Sequence, residues 1–394
     1  MAWSEGFERF GGRYVAEALY GPLEAVATAL DAALEDDAFL SEFERWLDHR
    51  IGRPTPLSRM RRLSQELGGG QLWLKREDLC QGGSFTACMA IFQALLAKYM
   101  NRSVLVAESG SGDFGVALSQ AGAALGLEVH VFMTREDILS EPLAVAEIKR
   151  FDAHVVSVDA PSRGRADAAA EAMRVWMSQW EQALYCSSML AAPDPYPRML
   201  AHAAGIIGAE ARVQLHRRAA RVDYIIAPVG TGSLAAGLFA EFIDDDAVHS
   251  IGVQAGGEAQ SGRHAASLLS GRPGIAHGTR SFLLQDDDGQ ILGAYSIAGG
   301  LISPIVGPQH AAWAQRGQAL YVSMADHEAI EAVERLMALE GVHVSLETGH
   351  ALAYALKLLP TLAPEQSILL GVSGQGTRDA ARLAEAAKSG RGEP

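Results

Sequence analysis

Three glycine loops carry the residue types most capable of chemistry. Val229-Gly230-Thr231-Gly232-Ser233 lies between an apolar run, DYIIAPV, and a helical pattern, LAAGLFAEF. Glycines let the backbone turn tightly, and the first amides of the following helix point outward, which suits a phosphate or a carboxylate. Taken alone, the same residues also describe a plain strand-to-helix turn. Glu108-Ser109-Gly110-Ser111-Gly112-Asp113 sits between SVLVAE and FGVALSQAGAALG. It places a carboxylate beside a second nest of amides, where it could give or take a proton. The plainer reading is that Ser111 or Asp113 caps the helix. Ser373-Gly374-Gln375-Gly376 follows ILLGV, with Ser373 as at least a turn residue. Glu347-Thr348-Gly349-His350 opens a helix, where an acid suits the helix dipole. As a set, these loops could converge on one small anionic ligand.

The elements that would position them alternate. Apolar residues at helical spacing fill VAEALYGPLEAVATALDAALEDD and DDAFLSEFERWLDHR, and GRPTPL then breaks the pattern. From there QLWLK, SVLVAE, EVHVFMT, HVVSVD, DYIIAPV, SIGVQA and QSILLGV read as strands. SFTACMAIFQALLAKYM and EPLAVAEIKRF are among the helices between them. A glycine-rich stretch from about 256 to 312 reads as irregular. This rhythm predicts an α/β protein with two largely parallel sheets flanked by helices, and such sheets bind ligands beyond the carboxyl ends of their strands.

The chain has 394 residues, 48% of them hydrophobic, which predicts two packed domains. Its net charge of −14 argues against a nucleic-acid partner. No apolar run reaches the length of a membrane span, and the opening MAWSEGFERFGGRY does not read as a signal peptide. Cys80, Cys88 and Cys186 have neither disulfide nor zinc spacing, no metal ligand set is assigned, and a reducing cytoplasm fits. Lysine is scarce, being limited to Lys75, Lys98, Lys149, Lys357 and Lys388.

The segments FGGRYV, GRPTPL, LKRED, QALLAK, DPYP, FIDD, GRPG, LQDDDGQI, VGPQHA and HALAYALK occur in order along the chain. Through them the chain resembles the tryptophan synthase β-subunit family, fold type II pyridoxal phosphate enzymes that join serine to indole. The resemblance implies an N-terminal domain of residues 1–51 and 86–202, with a mobile subdomain at about 101–188. Residues 52–85 and 203–394 would form the C-terminal domain.

The resemblance also implies roles. The family's acid/base glutamate falls on Glu108, and its substrate-carboxylate loop on Ser109, Gly110, Ser111, Gly112, Asp113 and Phe114, where Asp113 and Phe114 replace a Gln-His pair. The serine at the cofactor's pyridine nitrogen falls on Ser373, and a nearby glutamate on Glu347. The phosphate loop becomes Gly230, Thr231, Gly232, Ser233 and Leu234, with Leu234 replacing an amide side chain. The family's Gly-Ala-His-Lys-Ile-Asn run falls on Gly83-Ser84-Phe85-Thr86-Ala87-Cys88, so Thr86 stands at the lysine that holds the cofactor. Ile302 stands at an aspartate that receives the serine hydroxyl.

These differences lead to the expectation of a repurposed enzyme that works without pyridoxal phosphate and does not make tryptophan. It would carry out dehydration, cyclisation or isomerisation of a small carboxylate or indole-like aromatic in specialised metabolism. Glu108, Asp113 and Thr86 would be catalytic, with Ser84, Phe85, Ser109 to Gly112, Phe114 and Ile302 around the substrate. Two alternatives stand beside it: a non-catalytic regulatory or scaffold homologue, and a lyase with noncovalently bound pyridoxal phosphate. No covalent cofactor is expected. Noncovalent pyridoxal phosphate or another phosphate-bearing ligand is compatible with the loops, a homodimer is expected, and an α-subunit-like partner is left open.

Overall fold

The structure is a computed structural model that describes residues 9–159, 165–258 and 261–384. It has two main sheets flanked by helices. The larger has six strands in the order Leu57–Arg59, Gln71–Arg76, Ser367–Val372, Tyr224–Pro228, His249–Gly257 and Ala319–Ala325. All neighbours run parallel except the first pair, which is antiparallel. The smaller sheet is wholly parallel, in the order His154–Val158, Glu128–Thr134, Val104–Glu108 and Ala183–Cys186. Ser367–Val372 is buried along its entire length, as a strand covered on both faces must be. The α/β reading with parallel sheets flanked by helices therefore stands.

The opening helices form for the reason their spacing gives. Tyr20–Glu35 buries Leu23, Val26, Ala27, Leu30 and Ala33 on one face. Asp36 caps Asp37–Trp46 by accepting from the amides of Ala38 and Phe39. Phe39 and Phe43 then meet the ring of Phe92 edge-on at 5.4 and 5.1 Å. Phe92 belongs to Thr86–Tyr99, a helix buried from Thr86 to Ala97, so its sequence is apolar all round.

The stretch read as irregular holds a two-stranded antiparallel ribbon, Arg272–Ala276 with Thr279–Leu283. Gly274, Pro273 and Gly278 hid its alternation. No helix among the described residues is long and apolar enough to cross a membrane.

One buried ion network ties the GRPTPL segment to the larger sheet. Arg53 pairs with Glu77 and, at 3.0 Å, with Glu210, and Lys75 Nζ donates to Glu210 at 2.6 Å. Thr55 donates to Glu77 at 2.6 Å, and its carbonyl accepts from Lys75 and Gln214. Burial lowers the Lys75 pKa against the pull of Glu77 and Glu210. Removing one partner strands the others without water, so Glu77→Ala should destabilise the fold by about 3–5 kcal/mol. Denaturant unfolding checks this, and a loss within the scatter of surface variants would contradict it.

Candidate functional site

Glu108 closes its strand in the smaller sheet and is nearly removed from water. Tyr185 donates its hydroxyl to one carboxylate oxygen, and Ser187 donates to the other at 2.8 Å. Tyr185 lies in the neighbouring strand, which pairs Ala107 with Cys186, so sheet register brings the donors alongside. Ser187 is fixed in turn, its amide donating to Gln93 and its carbonyl accepting from Gln93, each at 3.0 Å. Burial raises the Glu108 pKa to about 7, although both hydroxyls pull it down. Sequence reading missed Tyr185 and Ser187, because only the register of two strands far apart in the chain joins them to Glu108. It placed Phe85 and Phe114 around the substrate. Phe114 is instead a core residue, and Phe85 is half-buried ahead of the helix it precedes.

The loop after Glu108 leads into the helix Asp113–Leu125. The capping expected from Ser111 or Asp113 falls to Ser109, whose hydroxyl accepts from the Gly115 amide at 3.1 Å. Among the described residues, the amides of Ser111, Gly112, Asp113 and Phe114 meet no acceptor, so the nest is intact. Asp113 is not drawn to Glu108. It pairs with Arg378, which also reaches Glu147 at 3.1 Å. Asp113, expected to be catalytic, has its charge engaged by a guanidinium.

Ser84, Phe85 and Thr86 lie against Ser373. The Phe85 amide donates to the Ser373 carbonyl at 3.1 Å, and Thr86 donates its hydroxyl to Ser84 Oγ at 3.2 Å. Ser373 Oγ lies 3.0 Å from both Ser345 Oγ and Thr348 Oγ1, forming a cluster of three buried hydroxyls. Glu347 accepts from the Gly300 amide at 2.7 Å. Ile302 ends the same short turn, half-buried. A Cβ on Gly299 would stand 3.5 Å from Ser111 Cβ, so this turn bridges Glu347 and the nest.

The third loop follows Tyr224–Pro228. Among the described residues, the amides of Gly230, Thr231, Gly232, Ser233 and Leu234 meet no acceptor. Thr231 Oγ1 accepts from the Leu190 amide at 3.2 Å, which leaves its proton free to donate, and Ser233 donates to the Ser188 carbonyl at 2.6 Å. Ser188 follows the Ser187 that holds Glu108, so the cradle and the carboxyl share one turn. Leu234 is buried in the core. His310, another residue missed in sequence, lies between the Gly232 carbonyl and the Tyr321 hydroxyl, each at 2.8 Å, and burial lowers its pKa to about 4.

Comparison with known proteins gives this convergence a family. The model for "Pyridoxal-phosphate dependent enzyme" matches residues 50–374. The tryptophan synthase beta chain of Stenotrophomonas maltophilia (strain R551-3) is 43% identical over 380 residues, covering 96% of this chain and 94% of that one. That of Xanthomonas campestris pv. campestris (strain B100) is 42% identical over the same shares. The chain belongs to the tryptophan synthase β family of pyridoxal-phosphate dependent enzymes. A fungal L-serine ammonia-lyase from Rhizomucor miehei shares the fold, with a TM-score of 0.64 at 21% identity over 85% of this chain and 97% of that one.

These findings correct the functional expectation. A chain working without pyridoxal phosphate, inert as a tryptophan synthase or serving only as a scaffold, is contradicted by near-full-length relatives named as tryptophan synthase beta chains. The span matched by the cofactor family's model includes position 86. The replacements read at Phe85, Thr86, Leu234 and Ile302 therefore do not carry loss of the family's chemistry.

The residues of this tryptophan synthase β relative fit the cofactor at two ends. The unpartnered amides of Gly230 to Leu234 and the free Thr231 proton suit its phosphate. Ser373, with two of its hydroxyl's hydrogen-bonding positions used, retains one for a ring nitrogen. At the covalent end, Thr86 offers a hydroxyl. Among the described lysines, Lys98, Lys149 and Lys357 are exposed and Lys75 is held in the ion network. Lys388 lies outside the described residues.

Two predictions follow from this geometry. Gly232 has φ +97°, and an added Cβ would stand 2.1 Å from His310 Nε2. Gly232→Ala should weaken pyridoxal phosphate binding at least about tenfold while the protein stays folded, as read by cofactor titration and circular dichroism; unchanged affinity would refute the cradle. Ser187→Ala removes a donor that favours the carboxylate, so the Glu108 titration should move above about 7. The pH profile of turnover reads this, and a shift to lower pH would be the wrong sign.

Proposed function

We propose that this chain is a pyridoxal-phosphate dependent enzyme of the tryptophan synthase β type, acting at the β-carbon of a serine-like amino acid with an indole-like aromatic as nucleophile. The observation that carries the proposal is Glu108, a buried carboxyl held by two hydroxyls with its pKa raised to about 7. Such a group can both give and take a proton near neutrality. The names of the relatives support the substrate class.

Bound in the cradle, pyridoxal phosphate supplies an electron sink for charge at the amino acid's α-carbon. Gly230 to Ser233 would bind its phosphate, and Ser373 would meet its ring nitrogen. The amides of Ser111 to Phe114 receive the substrate carboxylate, with Ser84, Phe85 and Ile302 bordering the site. Glu108 moves protons at its carboxylate oxygens, with Tyr185 and Ser187 holding it in place.

The cofactor is held through its phosphate and ring rather than by a bond to a lysine. Thr86 and the placement of the four described lysines support this. A homodimer and an α-subunit-like partner belong to the same proposal and are read by light scattering. So does the split into domains of residues 1–51 with 86–202 and 52–85 with 203–394. Three free buried cysteines accord with a cytoplasmic setting.

The test is reconstitution with pyridoxal phosphate, serine and indole. The reading expects cofactor absorbance, formation of a β-substituted amino acid, and a loss of about 10²–10⁴-fold in turnover in Glu108→Gln. Absence of cofactor binding, or undiminished turnover in Glu108→Gln, would refute it. Borohydride reduction followed by peptide mapping tests the holding mode separately, and a pyridoxyl-lysine would overturn it.

A further inference from the structure

We propose that Glu128, His130 and His154 form a binding site for a divalent transition-metal ion of the zinc class, remote from the cofactor cradle. The site follows from strand geometry. Glu128 and His130 are two residues apart in one strand and so share a face, with Val129 and Val131 buried on the other. The neighbouring parallel strand is registered so that His154 pairs with His130. Sequence reading assigned no metal because 23 intervening residues separate the two histidines, and only this register joins them.

One ligand atom from each of the three side chains lies within 4.8 Å of the other two. His130 Nε2 is 2.6 Å from Glu128 Oε1, His154 Nε2 is 4.0 Å from that same oxygen, and the two rings lie 5.0 Å apart. The carboxylate oxygen is thus the common neighbour of both imidazole nitrogens. Two imidazoles and one carboxylate are a donor set that zinc and neighbouring first-row ions accept, with water completing the shell. A metal ion bound between them would replace the His130–Glu128 hydrogen bond, with each neutral imidazole presenting its Nε2 lone pair and carrying its proton on Nδ1.

Position gives the site its meaning. The three ligands cluster at the beginnings of their strands, whereas Glu108 ends its own, so the smaller sheet carries chemistry at one end and the proposed ion at the other. His154–Val158 is also the edge strand of that sheet. An ion bound to both strands would pin this edge to its neighbour without entering the active site.

The experiment uses the full-length protein stripped of metal and titrated with zinc chloride alone, read by calorimetry and by thermal unfolding. One ion per chain should bind and raise the unfolding temperature. His154→Ala should weaken binding at least about tenfold and abolish the thermal shift, since losing a ligand costs no less than losing an outer-shell partner. His154 is largely exposed, so the variant should fold, and its metal-free unfolding temperature checks this. His130→Ala should behave likewise, and both variants should retain basal activity. Absence of zinc binding to the unmodified chain, or binding and stabilisation that survive both substitutions, would overturn the proposal.

Discussion

A carboxyl group taken out of water stays neutral unless donors compensate its charge, and the site is organised around that balance at Glu108. Burial alone would keep it protonated, while Tyr185 and Ser187 return part of the solvation that water supplied. The result is a group close to even occupancy at neutral pH. The arrangement requires a neighbouring strand in one register, because a shift by one residue would turn Tyr185 to the opposite face. It also requires Gln93, on the buried helix, to hold both backbone groups of Ser187. The central helix and the smaller sheet thus act together on one side chain.

The rest of the site is shaped by close backbone approach. A Cβ on Gly230 would meet the Gly300 carbonyl at 2.6 Å, and Gly300 gives its amide to Glu347. Side chains at these positions would push the loop after Tyr224–Pro228 away from the Gly299–Leu301 turn. Their absence lets that turn approach both the cradle at Gly230 and, through Gly299, the nest at Ser111. The cross-links Asp113–Arg378 and Glu141–Arg382 join the smaller sheet's helices to Arg378 and Arg382 near the end of the described residues.

The alternation of strands and helices was legible because parallel strands read as continuous apolar runs and the outer helices keep a 3.6-residue period. The glycine loops were legible as well, since glycine between a strand and a helix has few other uses. Three kinds of information were not. Tyr185, Ser187 and His310 reach the site through register and packing over long sequence separations, and their own segments look like ordinary core. The burial of Lys75 and Glu77 in the LKRED run was hidden because their partners Arg53, Thr55 and Glu210 come from elsewhere in the chain. The replacements at Phe85, Thr86, Leu234 and Ile302 read together as loss of the family's chemistry, which overweighted these positions against a chain whose phosphate cradle and ring-side hydroxyl are kept.

Glu108 is half-protonated near neutrality, and infrared difference spectroscopy observes this directly. The carboxylic C=O stretch of the cofactor-loaded protein would be followed as pH is raised, with Glu108→Gln identifying the band. The account predicts a buried carboxylic band, absent from the variant, that bleaches with a midpoint near pH 7. A Glu108 already ionised well into the acid range, or one that stays protonated far above neutrality, would contradict it.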